Sequence, residues 1–319
     1  MKICVLDAAT LGADLDITPF EECGEVIVYP LTAPQEVEER IRDVDVIITN
    51  KIVLDRNNLK EAKNLKLIAL LSTGYNTIDI EYAKSKGIGV ANVAGYSTES
   101  VAQHTFAMIL HLVHHNGQYD EYVKSKQYVS SEMFTFIAWP FNELNGKTIG
   151  IIGMGAIGNA VARIAEAFGM KVIYYSTTGK NTSHPKYQNV DLKQLLNQSD
   201  IVSIHSPYSE NTHHLITYKE MKMMKNTAYI LNLGRGNIVV EEDLANAIND
   251  NIIAGAGVDV LSKEPIDKNS PLFKVKDQNK LFITPHIAWS SVEARNLLVR
   301  EVTDNIHAII DGRKRNRIV

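Results

Sequence analysis

Short apolar runs alternate with amphipathic stretches along most of the chain. Residues 2–6, 25–29, 45–49, 66–71 and 89–92 read as strands, and residues 34–42, 59–63 and 78–86 as the helices between them. Runs that stay apolar at consecutive positions are buried on both faces, so this rhythm predicts a parallel sheet covered by helices. Residues 97–115 form the longest helix candidate, with Ser97 or Thr98 to cap it and Glu99 in its first turn. Val101, Ala102, Thr105, Phe106, Ile109, Leu112 and Val113 give it a broad apolar face that needs a cover. The alternation then resumes, with strands at 171–175, 201–205, 228–233, 254–260 and 281–284 and helices at 192–197, 218–224 and 241–249, which predicts a second parallel sheet. A last amphipathic helix spans about residues 291–310, long enough to return to the first domain.

The second half is organised around Gly150-Ile151-Ile152-Gly153-Met154-Gly155-Ala156-Ile157-Gly158. A buried strand stops at Gly153, and a helix carrying Ile157, Val161, Ile164 and Phe168 at helical spacing starts within the glycine cluster and ends at Gly169. This context gives Gly153, Gly155 and Gly158 the roles of a dinucleotide turn. The first permits the tight bend, the second lets a pyrophosphate approach, and the third lets helix and strand pack closely. The helix N-terminus, including Ala156 and Ile157, offers N–H groups and a positive dipole end to the phosphates.

Composition narrows the class. A chain of 319 residues suggests two domains, and a net charge of 33 − 37 = −4 with no basic run beyond Arg313-Lys314-Arg315 argues against a nucleic-acid partner. That tail reads as a solvated end. Cys4 and Cys23 stand in no metal or redox spacing, which fits reduced thiols. The opening Met1–Leu6 run is broken by Asp7, too short for a signal peptide or a membrane span, so a cytoplasmic protein is expected.

Ligands of open α/β sheets bind beyond the carboxyl ends of the strands. Four polar groups stand there. The Ser72-Thr73-Gly74 turn can aim backbone N–H groups at an anion, although the same residues also make an ordinary turn. Arg235, between Gly234 and Gly236, can clamp a carboxylate or sit in a surface turn. Glu264 and His286 each follow a strand, and together can form a proton-transfer pair in which the carboxylate orients the ring and favours its charged form. The histidines of the long helix, His111, His114 and His115, have no acidic or cysteine ligand beside them, so no metal site is expected.

These residues resemble the D-isomer-specific 2-hydroxyacid dehydrogenases over nearly the whole chain. The similarity is carried by Ser72-Thr73-Gly74-Tyr75-Asn76-Thr77-Ile78-Asp79, the glycine turn, His205-Ser206-Pro207 with Thr212, Asn232-Leu233-Gly234-Arg235-Gly236, Gly257-Val258-Asp259-Val260, Glu264-Pro265 and Thr284-Pro285-His286-Ile287-Ala288. Residues 95–105 and 285–289 are most similar to glycerate dehydrogenases, also called hydroxypyruvate reductases.

The resemblance implies an α/β fold of two doubly wound parallel-sheet domains with a cleft between them. A flavodoxin-like substrate domain would comprise residues 1–96 and 290–319, and a Rossmann cofactor domain residues 97–289. Arg235 would bind the substrate carboxylate and carbonyl oxygen, His286 would exchange the proton, and Glu264 would hold His286 oriented and protonated. Thr73 and Gly74 would offer N–H groups to the carboxylate, and Trp289 would shape a pocket for a small polar side chain. Asp259 would hold the nicotinamide amide, and Thr105, Ser176, Pro207, Thr212 and Leu233 would join the glycine turn around the cofactor. Many NAD-using relatives carry an Asp after the second strand of this domain. Here Tyr175-Ser176-Thr177-Thr178-Gly179-Lys180 has no acid, so NAD with weakened discrimination against NADP is expected. A homodimer built through the cofactor domain is implied, with the helix at 97–113 as the apolar surface to cover. Other D-2-hydroxy acids, such as D-lactate or 3-phosphoglycerate, and a nucleotide-sensing corepressor role remain the alternative readings.

Overall fold

Five short runs of Val, Ile and Leu build the first sheet: β1 (Lys2–Val5), β2 (Glu25–Val28), β3 (Val46–Thr49), β4 (Leu67–Leu70) and β5 (Gly89–Ala91). In this computed structural model, which describes residues 1–319, they pair in parallel in the order β2-β1-β3-β4-β5. Every residue of β3 and β4 is buried, as strands covered on both faces require. Helices α1 (Val37–Ile41), α2 (Arg56–Leu59) and α3 (Ile80–Ser85) connect them. The helix expected at 59–63 lies earlier, because Asp55 caps it by accepting from the N–H groups of Asn57 and Asn58. Chain order reverses between β1 and β3, the flavodoxin-like switch point. There the buried Asp7 carboxylate takes the N–H groups of Asn50 and Lys51 at 2.7–3.1 Å. Burial nevertheless pushes its carboxyl upward.

The second sheet has seven strands, all parallel, in the order β12-β11-β10-β9-β6-β7-β8. Its chain begins with α4 (Thr98–His114) and α5 (Asn116–Lys124) and continues through β6 (Thr148–Ile152), α6 (Ala156–Ala167), β7 (Lys171–Tyr175), β8 (Gln188–Asn189), α7 (Leu192–Gln198), β9 (Ile201–Ile204), α8 (Tyr218–Met221), β10 (Tyr229–Asn232), α9 (Glu241–Asn249), β11 (Gly255–Val258) and β12 (Leu281–Ile283). This is the Rossmann order with one further strand. One apolar core, including Leu196, Ile204, Ile230 and Leu244, lies on one face, and another, including Phe106, Ile151, Val161 and Leu231, on the other. The apolar face of α4 is buried within this unit, chiefly against α6. It is therefore covered by its own chain, not left for a partner as the sequence suggested. Neither α5 nor β8 was anticipated.

The chain ends in α10 (Val292–Ile310), which packs on β4 and on the 3-10 turn at Thr18–Cys23. The division into compact units follows: Met1–Ser97 with Ser290–Val319 forms one, and Thr98–Trp289 the other. In the basic tail Arg313 and Lys314 are exposed, as a solvated end requires, but the chain from Arg315 onward is tied down. Arg315 donates to Asn305 and the Glu301 carbonyl, and Arg317 pairs antiparallel with Ala91 at the β5 edge. No helix is long and apolar enough to cross a membrane.

Burial pushes the Cys4 thiol up to about 12 and the Cys23 thiol up to about 11. The reactive thiolate is then scarce near neutral pH. Neither cysteine should react with a thiol-specific disulfide reagent at pH 8 in the native protein, and both should react in denaturant. Rapid release of two equivalents from native protein would contradict this burial.

Candidate active site

Strand β6 lies between β7 and β9, where the second sheet reverses its order and opens a crevice beyond the strand ends. Gly153 ends β6 at φ +97°, and a Cβ there would lie 2.8 Å from the backbone nitrogen of Ser206. A Cβ on Gly158 would collide with the Gly153 carbonyl oxygen. These two glycines are required by the fold itself. Gly155 is not: its φ is −88°, and a Cβ there would project into open space. Nor does any side chain cap α6, whereas Asp191 caps α7 and Ser291 caps α10. The first N–H groups of α6 are thus left to an external acceptor, at the positive end of its dipole. A bare glycine facing open space before an uncapped helix fits a pyrophosphate. Asn159 steadies the turn by donating to the Gly155 carbonyl at 2.8 Å, and its own oxygen lies 2.9 Å from His184 Nε2. Ser176, half-buried, follows β7, and no carboxylate stands between it and Lys180.

Beyond β9 stand His205 and Ser206, which carry the family resemblance in sequence but have no role assigned by it. His205 Nε2 lies 2.8 Å from Ser203 Oγ, and burial pushes the imidazole down to about 3, so the ring is neutral. Its Nδ1 and the Ser206 hydroxyl are buried and find no partner within the chain. Thr212 has its hydroxyl committed to its own loop. It donates to the Pro207 carbonyl at 2.9 Å and accepts from the Ser209 N–H at 2.8 Å. Thr105 is wholly buried and turns its hydroxyl back to the Val101 carbonyl at 2.7 Å, while Leu233 is buried beyond β10.

Buried Asn232, at the end of β10, shapes the turn that carries Arg235. Its amide donates to the Arg235 carbonyl at 2.9 Å and accepts from the Gly234 N–H at 3.1 Å. The half-buried guanidinium donates to the Gly234 carbonyl at 2.8 Å. After β11 and β12 stand Glu264 and His286, with Nδ1 of the ring 2.7 Å from the carboxylate. The other oxygen of Glu264 accepts from the Leu261 N–H at 3.0 Å, which fixes the acid. With Nδ1 engaged, Nε2 is the nitrogen left for a reacting atom.

Asp259 is buried, and its carboxylate accepts from the Thr284 hydroxyl (2.7 Å), the Ile287 N–H (2.8 Å) and the Ala288 N–H (3.0 Å). Of about four acceptor positions on a carboxylate, the histidine loop takes three. Trp289, partly buried, packs on the adjoining core.

The second unit therefore gathers the glycine turn, Ser206, Arg235, Glu264 and His286 at the carboxyl edge of one sheet. Thr73 and Gly74 belong to the first unit, beyond β4. Their turn is held by the Thr73 hydroxyl on the Val93 carbonyl at 2.8 Å and by Asn92 on the Thr73 carbonyl. His111 stacks on Phe282 and His114 lies against Phe141, so these histidines serve packing.

Residues 106–288 match the family of the D-isomer specific 2-hydroxyacid dehydrogenase, NAD binding domain. A hydroxypyruvate reductase of Blautia hydrogenotrophica is 39% identical over 321 residues, covering 98% of each chain. Two solved structures are each 30% identical. An acyclic imino acid reductase in complex with NADPH and D-Arg has a TM-score of 0.88 and covers all of both chains. A D-lactate dehydrogenase of Aquifex aeolicus, complexed with NAD and lactic acid, has a TM-score of 0.84 and covers 98% of this chain and 96% of that one.

The open space around Gly155 separates folding from binding. Gly155→Ala should leave the melting temperature unchanged and weaken NADH binding about tenfold or more, roughly 1.4 kcal/mol. Gly158→Ala should instead lower the melting temperature by several degrees. Calorimetry and fluorescence titration check both, and unaltered NADH affinity in Gly155→Ala would count against a pyrophosphate there.

Proposed function

The chain belongs to the D-isomer-specific 2-hydroxyacid dehydrogenases, and from that premise we propose that it interconverts hydroxypyruvate and D-glycerate. It is an NAD(P)-linked oxidoreductase acting on the CH–OH group. The observation that carries the reading is the 2.7 Å contact of His286 with Glu264 at the sheet edge that also bears Arg235. Arg235 binds the carboxylate and carbonyl oxygen of the keto acid, a task that suits a planar guanidinium. His286 gives the proton on Nε2 to that oxygen as the carbonyl is reduced, and takes it back in oxidation. Glu264 stabilises the imidazolium and fixes its orientation. In the first unit, Thr73 and Gly74, whose N–H groups have no partner within the chain, offer them to a carboxylate.

The residues present fit the dinucleotide. Gly153, Gly155, Ala156, Ile157 and Gly158 would hold its pyrophosphate, Ser176 its ribose side, and Pro207, Leu233 and the fourth acceptor position of Asp259 its nicotinamide end. When bound, it supplies or accepts the hydride. Without an acid between Ser176 and Lys180, nothing in that loop repels a 2′-phosphate, so NADP(H) is used beside NAD(H). Two buried free thiols fit a reducing compartment, and we place the protein in the cytoplasm.

Steady-state kinetics test this reading. The kcat/KM for hydroxypyruvate should exceed that for pyruvate, since a site that hydrogen-bonds a hydroxyl discriminates against its absence. NADH and NADPH should both serve, within a factor of about a hundred of each other. His286→Ala should cost about 10²–10⁴-fold in kcat with NADH binding retained. Equal efficiency on both keto acids would remove the glycerate assignment, and normal turnover in His286→Ala would remove the acid.

We also propose a homodimer, formed through the segment after α4. No residue of α5 is buried. The loop that follows is held by Tyr122 stacked on Phe136 and by Tyr119 against Trp139, yet it leaves Val129 82% and Phe134 92% exposed. Clustered apolar side chains of this kind favour a protein partner. Light scattering should give twice the chain mass at micromolar concentration, and Phe134→Asp should shift it toward the monomer. A parent monomer would refute the dimer.

A further inference from the structure

His286 sits at φ +56°, in the left-handed region that a β-carbon disfavours. The turn that carries it is gripped from both sides. Asp259 holds it by its carboxylate, as described, and by its main-chain carbonyl, which accepts the His286 N–H at 2.8 Å. Helix α4 holds it a second time. Ser100 donates to the Ala288 carbonyl at 2.7 Å, and one helical turn later His104 Nε2 lies 3.1 Å from the Thr284 hydroxyl. Ser100 and His104 are four residues apart, so they share one face of the helix. They meet the segment just before and just after His286.

Proton counting fixes the direction of this chain. A threonine hydroxyl has one hydrogen. At 2.7 Å from the Asp259 carboxylate, which can only accept, Thr284 must spend that hydrogen there. Its oxygen then accepts from His104, whose Nε2 must carry a hydrogen. The order is His104 to Thr284 to Asp259, with the carboxylate also receiving the Ile287 and Ala288 N–H groups. No member of this relay is Arg235, Glu264 or His286, yet it sets where His286 stands.

We propose that Thr284 is a positioning residue for the His286 acid, fixing its left-handed turn by joining His104 of α4 to the Asp259 carboxylate. The proposal rests on the assignment of His286 as proton donor. Replacing the hydroxyl by a methyl leaves the His104 N–H without its acceptor and removes one of three donors from a buried carboxylate. The turn can then relax, and small misplacements of a reacting group cost up to about a hundredfold in rate.

The test compares Thr284→Val, Thr284→Ser and His286→Ala by steady-state reduction of hydroxypyruvate, with NADH affinity and melting temperature measured on each. Thr284→Val should lose about tenfold to a hundredfold in kcat, with NADH affinity and KM changed less than about threefold. Thr284→Ser, which retains the hydroxyl, should recover most of the loss. If Thr284→Val does not fold, His104→Leu and His104→Gln decide, since only glutamine keeps an N–H for Thr284. The leucine variant should then be the slower. Parental kcat in Thr284→Val, beside an inactive His286→Ala, would overturn this inference alone. So would a serine variant no better than the valine one, or equal rates in the two His104 variants. Parental kcat in His286→Ala would instead overturn the acid assignment beneath it.

Discussion

The buried Asp259 carboxylate is the interaction on which the site depends. A non-glycine residue in the left-handed region costs about 1–3 kcal/mol, and His286 occupies that region. Hydrogen bonds to a charged acceptor contribute about 1.5–3 kcal/mol each, and Asp259 accepts three from the segment around His286. The bonds therefore outweigh the strain, and the turn is held rather than sampled. The strain also has a use. A left-handed residue reverses the chain abruptly after β12 and delivers the ring to Glu264, which the Leu261 N–H fixes independently. The backbone of each partner is placed without the other, and the 2.7 Å hydrogen bond between them then orients the ring.

What the sequence makes legible follows from which forces are local. The strands were readable because β3, β4 and β9 are buried at every position, and such runs are continuous in sequence. Helix α5 was not, because a helix with no buried residue has no periodic apolar face to display. Helix α2 starts earlier than the apolar period indicates because a cap sets its boundary, Asp55 with Asn58 three residues on. In the site, the glycine turn, Arg235, Glu264 and His286 stand out because each follows an apolar run. The links that orient them do not. Thr284 lies 180 residues from His104 and 25 from Asp259, and no spacing rule connects them. Sequence shows which groups carry chemistry more readily than it shows what aims them.

The long helix α4 gives the same lesson from packing. Its apolar width is legible in the sequence, and its cover is not. Amphipathicity states how much surface must be buried and is silent on whether the same chain buries it. Here α6 and the sheet do so, with Phe106 and Ile109 among the buried contacts. The surface left apolar is instead the aromatic loop after α5, whose residues pack on one another and still expose Phe134. That loop is polar and apolar by turns without a fixed period, so its pattern predicts no interface even though its exposure argues for one.

At the nucleotide turn, as at α1, α5 and α9, no side chain caps the helix. Asp191 and Ser291 cap their helices, and such a cap stabilises by about 1 kcal/mol. Helix α6 forgoes it, starting on a glycine. Close by, across the strand reversal, the Ser206 hydroxyl and His205 Nδ1 are buried without a partner in the chain. Buried polar groups left unpaired cost about 1–3 kcal/mol each. Part of that cost falls at the crevice where a dinucleotide-binding sheet places its ligand; the Tyr174 hydroxyl, within a core, and Asn189 Oδ1 carry the rest. A ligand that supplies acceptors to α6 binds the native state and not the unfolded chain, so it stabilises the fold in proportion to its occupancy.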